Sequence, residues 1–221
     1  MCIRDSISHF TITNGSTSET SSIIQINAGS SIITDNIISY GHHGIHLNHS
    51  HNHLIYDNII QNNAGDGIRL DRSYSNVNIS YNTIVGNKDG IYLYFSDGNN
   101  IYNNKIQNNN RSGIFLNSSC RNNVIRYNNA SLNGKHGIYL NGFSDYQTIT
   151  HNQLYYNKNS GLVLENCSRT FNLKANTIIG NTNNGMMIIG STNNISNNVV
   201  SRNKKDGIYL AADDNNTLYN N

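Results

Sequence analysis

Residues 87–94 read Asn-Lys-Asp-Gly-Ile-Tyr-Leu-Tyr, and one period later residues 110–117 read Asn-Arg-Ser-Gly-Ile-Phe-Leu-Asn. The tetrapeptide Gly-Ile-x-Leu, or a close relative, begins at Gly44, Gly67, Gly90, Gly113, Gly137, Gly161, Gly185 and Gly207, at intervals of 22 to 24 residues. A second frame keeps the same period: Asn36, Asn58, Asn82, Asn104, Asn128, Asn152, Asn176 and Asn198, with Asn220 expected as the next member. Three residues before each of these stands Ile33, Ile55, Ile79, Ile101, Ile125, Ile149, Leu173 or Ile195. A period of this length is the mark of a repeat architecture. Within each unit, short runs alternate apolar and polar residues, which is the pattern of a strand. Three such runs in about 23 residues leave no room for crossover helices, so the chain must coil as a parallel β-helix. Coils stacked at the strand spacing of ~4.8 Å would make about nine turns and a rod roughly 45 Å long.

Stacking turns each repeat position into a column. Ile45, Ile68, Ile91 and Ile114 head one inward column, Leu47, Leu70, Leu93 and Leu116 a second, and Ile38, Ile60, Ile84 and Ile106 a third. Each buried aliphatic side chain contributes ~1.5–3 kcal/mol. Asparagine suits the turns, because it tolerates left-handed backbone and its amide both donates and accepts from coil to coil. The composition agrees: 44 asparagines and 30 isoleucines in 221 residues, and no proline, which cannot donate to a sheet ladder.

Composition also excludes several functions. A net charge of +2 with 13% charged residues gives no basic footprint for nucleic acid. No apolar run approaches the ~20 residues of a membrane span. Three cysteines (Cys2, Cys120, Cys167) with no Cys-x-x-Cys make no disulfide framework. Residues 1–6 match nothing that follows, are unlike a secretory leader, and resemble translated adapter sequence. The β-helix domain is therefore expected over residues 7–221, as a piece of a longer chain lacking its caps.

The Gly-Ile-x-Leu, Asn-x-x-Ile-x-x-Asn and Asn-x-Ile frames resemble the right-handed parallel β-helix repeats of NosD-like and related carbohydrate-binding or sugar-hydrolase families, across essentially all of residues 7–221. The resemblance implies an all-β, single-stranded right-handed solenoid and an extracellular, cell-surface or periplasmic setting. It leaves three functions open: a non-catalytic module binding polysaccharide, a polysaccharide lyase, epimerase or glycoside hydrolase, and NosD-like copper handling.

Candidate residues follow from the columns. Asp66 and Asp89 each precede a strand glycine and lie one coil apart (~4.8 Å), close to the carboxyl separation of a retaining glycosidase. Arg69 projects beside them, although Asp-Gly is also ordinary turn chemistry. The Asp-Pro-His-Asp signature of epimerases is impossible without proline. Gly-His-His-Gly at 41–44 departs from the polygalacturonase Gly-His-Gly, and Asp213-Asp214 lies far along the rod. Cys120 and Cys167, two coils apart, are expected in a small turn column with Ser73, Ser96, Ser119 and Ser168. Six of nine histidines fall between His42 and His53. In an extended segment His49, His51 and His53 would share one face and, with His46, offer imidazoles to Cu or Zn. Finally, the x of Gly-Ile-x-Leu should point outward. That column reads His46, Arg69, Tyr92, Phe115, Tyr139, Val163, Met187 and Tyr209. Tyr92, Phe115, Tyr139 and Tyr209, with Arg69, are expected to form an exposed glycan-binding face or a contact with another domain, and Phe115→Asp is expected to be tolerated.

Overall fold

The structure is a computed structural model describing residues 5–27, 29–167, 171–190, 192–212 and 215–221. Among these residues there is no helix. Short strands form three parallel sheets of ten, nine and nine strands, each strand bonded to its equivalent one coil earlier and later. The first sheet runs from Asp5–Ser8 to Thr217–Tyr219, the second from Thr11–Thr13 to Val199–Ser201, and the third from Ser22–Ile26 to Ile208–Ala211. The chain is thus a β-solenoid with one strand of each sheet per coil. Its first strand begins inside the segment set aside as a leader, with Asp5 opposite Ser31 and Ser6 opposite Ile32.

The register makes the columns literal. Ile91 lies between Ile68 and Ile114, Tyr92 between Arg69 and Phe115, and Leu93 between Leu70 and Leu116. The isoleucine and leucine columns are fully buried through the middle of the rod. An additional coil precedes the first Gly-Ile-x-Leu: Ile24, Gln25 and Ile26 pair with Ile45, His46 and Leu47 without a glycine to announce them.

The asparagines divide two tasks that the sequence assigned to one residue. The ladder Asn36–Asn58–Asn82–Asn104–Asn128–Asn152–Asn176–Asn198 is buried, each amide reaching the next at about 3 Å. Left-handed backbone falls instead on the residue before each member, such as Asp57, Tyr81, Asn103, Tyr127 or His151. The ladder therefore ends on Asn221, which accepts from Asn198, and Asn220 is the left-handed predecessor. A second ladder runs Asn63–Asn87–Asn109–Asn133–Asn157–Asn181–Asn203.

The small-residue column is Ser73–Ser96–Cys120–Ser144–Cys167, in which Ser73 N–H donates to Ser96 Oγ (3.0 Å) and Cys120 N–H to Ser144 Oγ (3.4 Å). Ser144 stands where Ser119 was expected. Ser119 has a φ of 57° and sits in a left-handed turn. Both cysteines are free and buried, and desolvation pushes each thiol up to about 12, so they are inert at neutral pH. Cys2, Ser168 and Asp213-Asp214 lie outside the described residues.

Candidate functional site

The third sheet carries two adjoining clefts on its outer face. One, of about 360 Å³, is bounded by His42, His43, His46, Arg69, Asp71 and Lys88. The other, of about 380 Å³, spans four coils from Asp66 and Arg69 past Asp89, Tyr92, Arg111 and Phe115 to Tyr139. Three positions of the repeat contribute most of their charged and aromatic lining. The outward position of Gly-Ile-x-Leu supplies Arg69, Tyr92, Phe115 and Tyr139, and the positions just before the glycine supply the acids and further cations.

Asp66 and Asp89 are brought together in neighbouring coils, but both are almost completely buried. They belong to a column whose side chains accept the N–H of the following coil. His43 Nδ1 accepts Asp66 N–H (2.9 Å), Asp89 Oδ1 accepts Ser112 N–H (2.8 Å), and Asn184 Oδ1 accepts Asp206 N–H (3.1 Å). Burial pushes Asp89 up to about 6, helped by the charge of Asp66, and burial also raises Asp66. Burial lowers His43 to about 3, with the charge of Arg69 adding to it, so His43 is neutral and its Nδ1 is an acceptor.

Arg69 is committed. Its Nε and one terminal nitrogen donate to both oxygens of Asp71 (2.8 and 3.1 Å), and the other reaches Asp66 Oδ2 (3.3 Å). Asp71 also accepts from His46 Nε2 (2.8 Å). Burial pushes the Asp71 carboxyl upward, but the hydrogen bonds from His46 and Arg69 outweigh it and hold it below its usual range. The expected pairing of Arg69 with a reactive carboxylate is therefore a closed ion network.

The ring column differs from the expected open face. Phe115 stacks on Tyr139 with centroids 4.7 Å apart and planes 12° apart, and meets Tyr92 edge-on at 5.3 Å. Phe115 is only 7% exposed, so an aspartate there would replace packed aromatic contacts rather than sit in solvent. The hydroxyls point to amide and acid partners: Asn117 Nδ2 donates to Tyr92 Oη (3.0 Å), and Tyr139 Oη donates to Glu165 (2.7 Å). Val163 is buried between Tyr139 and Met187, so Tyr209, which is exposed, is cut off from the other rings.

The histidines do not converge as expected. The strand His43–Asn48 ends before His49, which has a φ of 51°, and Asn52 has a φ of 60°. His49 and His51 are exposed, whereas His53 is buried with Nδ1 accepting Ser31 N–H (3.1 Å). His42, His43 and His46 gather instead, yet two of them already hold Asp66 N–H and Asp71. Arg69 and Lys88 line the same cleft, with Glu19 and Asp71 as the acids, and Asp71 is already held by Arg69 and His46. Among the described residues no three His, Cys, Asp or Glu side chains are placed to hold a metal ion.

One feature escaped the sequence reading. Lys88, Arg111 and Lys135 occupy the position two residues before successive glycines, and their backbones stack directly, Arg111 N–H to Lys88 O (2.7 Å) and Lys135 N–H to Arg111 O (2.8 Å). The signal was a run of three cations at one repeat position, invisible to a search for apolar columns.

The family described as "Periplasmic copper-binding protein (NosD)" matches residues 2–160 and 142–221. The chain belongs to the NosD family. Among solved structures it is similar to a periplasmic alginate epimerase, AlgG (TM-score 0.74, 20% identity, 86% of this chain and 50% of that one). It is also similar to the catalytic unit of a GH87 alpha-1,3-glucanase from Streptomyces thermodiastaticus strain HF3-3 (TM-score 0.63, 12% identity, 93% and 52%). A third likeness is the Dettilon tailspike protein (TM-score 0.58, 16% identity, 94% and 60%). The chain spans half the length of the epimerase. No curated protein sequence matches it. These likenesses share the β-helix with the NosD-family chain. The donor set described above does not suit the copper of the family's description: of the three gathered imidazoles, those of His43 and His46 are engaged, and among the described residues no three donors are placed to hold a metal ion. Among the described residues no helix is long and apolar enough to cross a membrane.

Proposed function

We propose that this NosD-family solenoid is a non-catalytic, cell-envelope module that holds an extended polysaccharide along the outer face of its third sheet. The observation that carries the reading is the open cleft of about 380 Å³, which runs across four coils from Arg69 to Tyr139. A groove parallel to the stack suits a repeating polymer, because each coil offers an equivalent position at ~4.8 Å intervals. The polysaccharide-active neighbours support the substrate class by analogy of fold, and the family's periplasmic description supports the location. Catalysis through the candidate carboxylates and their partners is disfavoured by the state of those groups. Asp66, Asp89, His43 and His136 are buried, and Asp71, His46 and Arg69 are tied to one another. A general acid or base must reach a substrate proton, and none of these groups stands free to do so.

Affinity electrophoresis through gels containing a panel of polysaccharides tests the proposal. Retardation by at least one glycan, with no new reducing ends or unsaturated products on prolonged incubation, is the expected result. Free migration in every gel would remove the reading, and release of products would transfer the site to the enzymes.

A further inference from the structure

The rings of the third sheet spend their faces on one another and on cations. Phe115 and Tyr139 stack, and Tyr92 and Phe115 meet in a T-shaped contact. The Arg69 guanidinium lies 4.7 Å from the Tyr92 ring centre, Arg111 lies 5.8 Å from Phe115, and the Lys135 ammonium lies 5.7 Å from Tyr139. Each ring thus has a positive group within reach of a cation–π attraction. A sugar stacking on an aromatic needs an uncovered ring face, and Phe115 at the centre of the column, only 7% exposed, does not supply one. The rings act as a rack that holds charged heads in the cleft.

The charge is not neutralised where it matters. The cleft contains Arg69, Lys88, Arg111 and Lys135 against the carboxylates Asp66 and Asp89. Arg69 is consumed by Asp71 and Asp66, while Arg111 faces Asp89 only at 3.6 Å and keeps an exposed side chain. Lys88 and Lys135 form no salt bridge among the described residues. Their stacked backbones place Lys88, Arg111 and Lys135 on three successive coils.

We infer that this column selects a polysaccharide bearing an anionic group, carboxylate or sulfate, on successive sugars, each met by one cation of Lys88, Arg111 and Lys135. The inference rests on the polysaccharide reading above and names the class of glycan that the cleft takes. Neutral glycans bring nothing to offset the desolvation of three cations, so the same groups discriminate against them.

The test compares gels containing polygalacturonate, dextran sulfate or neutral dextran, with a single-stranded DNA homopolymer as a fourth. The variants are Lys88→Gln/Arg111→Gln/Lys135→Gln and, as a control that removes the same charge elsewhere, Lys105→Gln/Lys158→Gln/Lys174→Gln, both checked by circular dichroism. Retardation by polygalacturonate or dextran sulfate is expected, identifying carboxylate or sulfate as the preferred group. It should weaken roughly tenfold or more in the cleft variant, weaken with added salt, and remain near wild type in the control. Retardation by neutral dextran alone would overturn the inference and leave polysaccharide binding standing, whereas free migration in all four gels would remove both. Equal losses in the two variants, or retardation by DNA alone, would also overturn it.

Discussion

Position 89 needs an acceptor for the Ser112 N–H, and Asp89 supplies one at 2.8 Å while carrying a charge that its burial opposes. Asn184 performs the same task in the same column for Asp206 N–H without a charge. Burial and Asp66 push Asp89 from its ordinary 3.8 up to about 6. The folded state therefore holds this proton more tightly than the unfolded chain does. The associated stability is fully present below pH 3.8 and is lost as pH rises from there through about 6. Asp89→Asn keeps the acceptor and removes that loss. Its melting temperature relative to wild type should rise between pH 4 and 7, by roughly 2–4 °C for each 1 kcal/mol involved. His43, which burial lowers to about 3, titrates with the opposite sign, but it is common to both proteins and cancels in the difference. A constant difference across this range in thermal melts would show that Asp89 is not held in its neutral form by the fold.

Between coils, the asparagine ladders show how one residue type serves two kinds of element. The Asn128 side chain accepts from Asn104 N–H and Nδ2 and donates to Ile101 O, Arg126 O and Asn152 Oδ1. Asn128→Ala would strand several of these groups away from water, at ~1–3 kcal/mol for each buried polar group left unsatisfied. A loss of about 3 kcal/mol or more is expected in denaturant melts. Asn108 is exposed and has a φ of 54°. There Asn108→Gly removes the side-chain cost of left-handed backbone and should change stability by less than about 0.5 kcal/mol. Similar losses at the two sites would contradict the division between ladder and turn. The Ile, Leu and first Asn columns were legible in the sequence because burial leaves a period-two apolar trace. At Asn220-Asn221, which of the two faces inward and which takes positive φ was not legible, since both are asparagine and adjacent. The closure of Arg69 onto Asp71 was hidden for a related reason: it depends on rotamers two positions apart on one strand, and repeat spacing carries no information on rotamers.

Across the whole rod, each coil touches only the coils before and after it, so stability is a sum of nearest-neighbour terms. The glycine of Gly-Ile-x-Leu exposes this arithmetic. Its role in the third sheet is close approach rather than unusual φ: a Cβ added at Gly113 would lie 2.7 Å from Gly137 O and 2.8 Å from Asn133 Nδ2, both contributed by the following coil. At Gly207 the same added atom would meet only Val200 Cγ1, at 3.7 Å. Identical substitutions at equivalent positions should therefore differ because of their neighbours alone. Gly113→Ala must push a backbone carbonyl or distort the turn, with overpacking costs of roughly 1–3 kcal/mol, and it should open the rod at the coils carrying Arg111 and Lys135. Gly207→Ala should be neutral or slightly stabilising, since it reduces the freedom of the unfolded chain. Hydrogen exchange resolves the two: Gly113→Ala should speed exchange in the strands Ile91–Tyr94, Ile114–Asn117 and Ile138–Asn141 while leaving Ile45 and Leu47 protected. If both variants melt alike, close approach between coils is not what keeps glycine at this position, and the nearest-neighbour account of the rod fails with it.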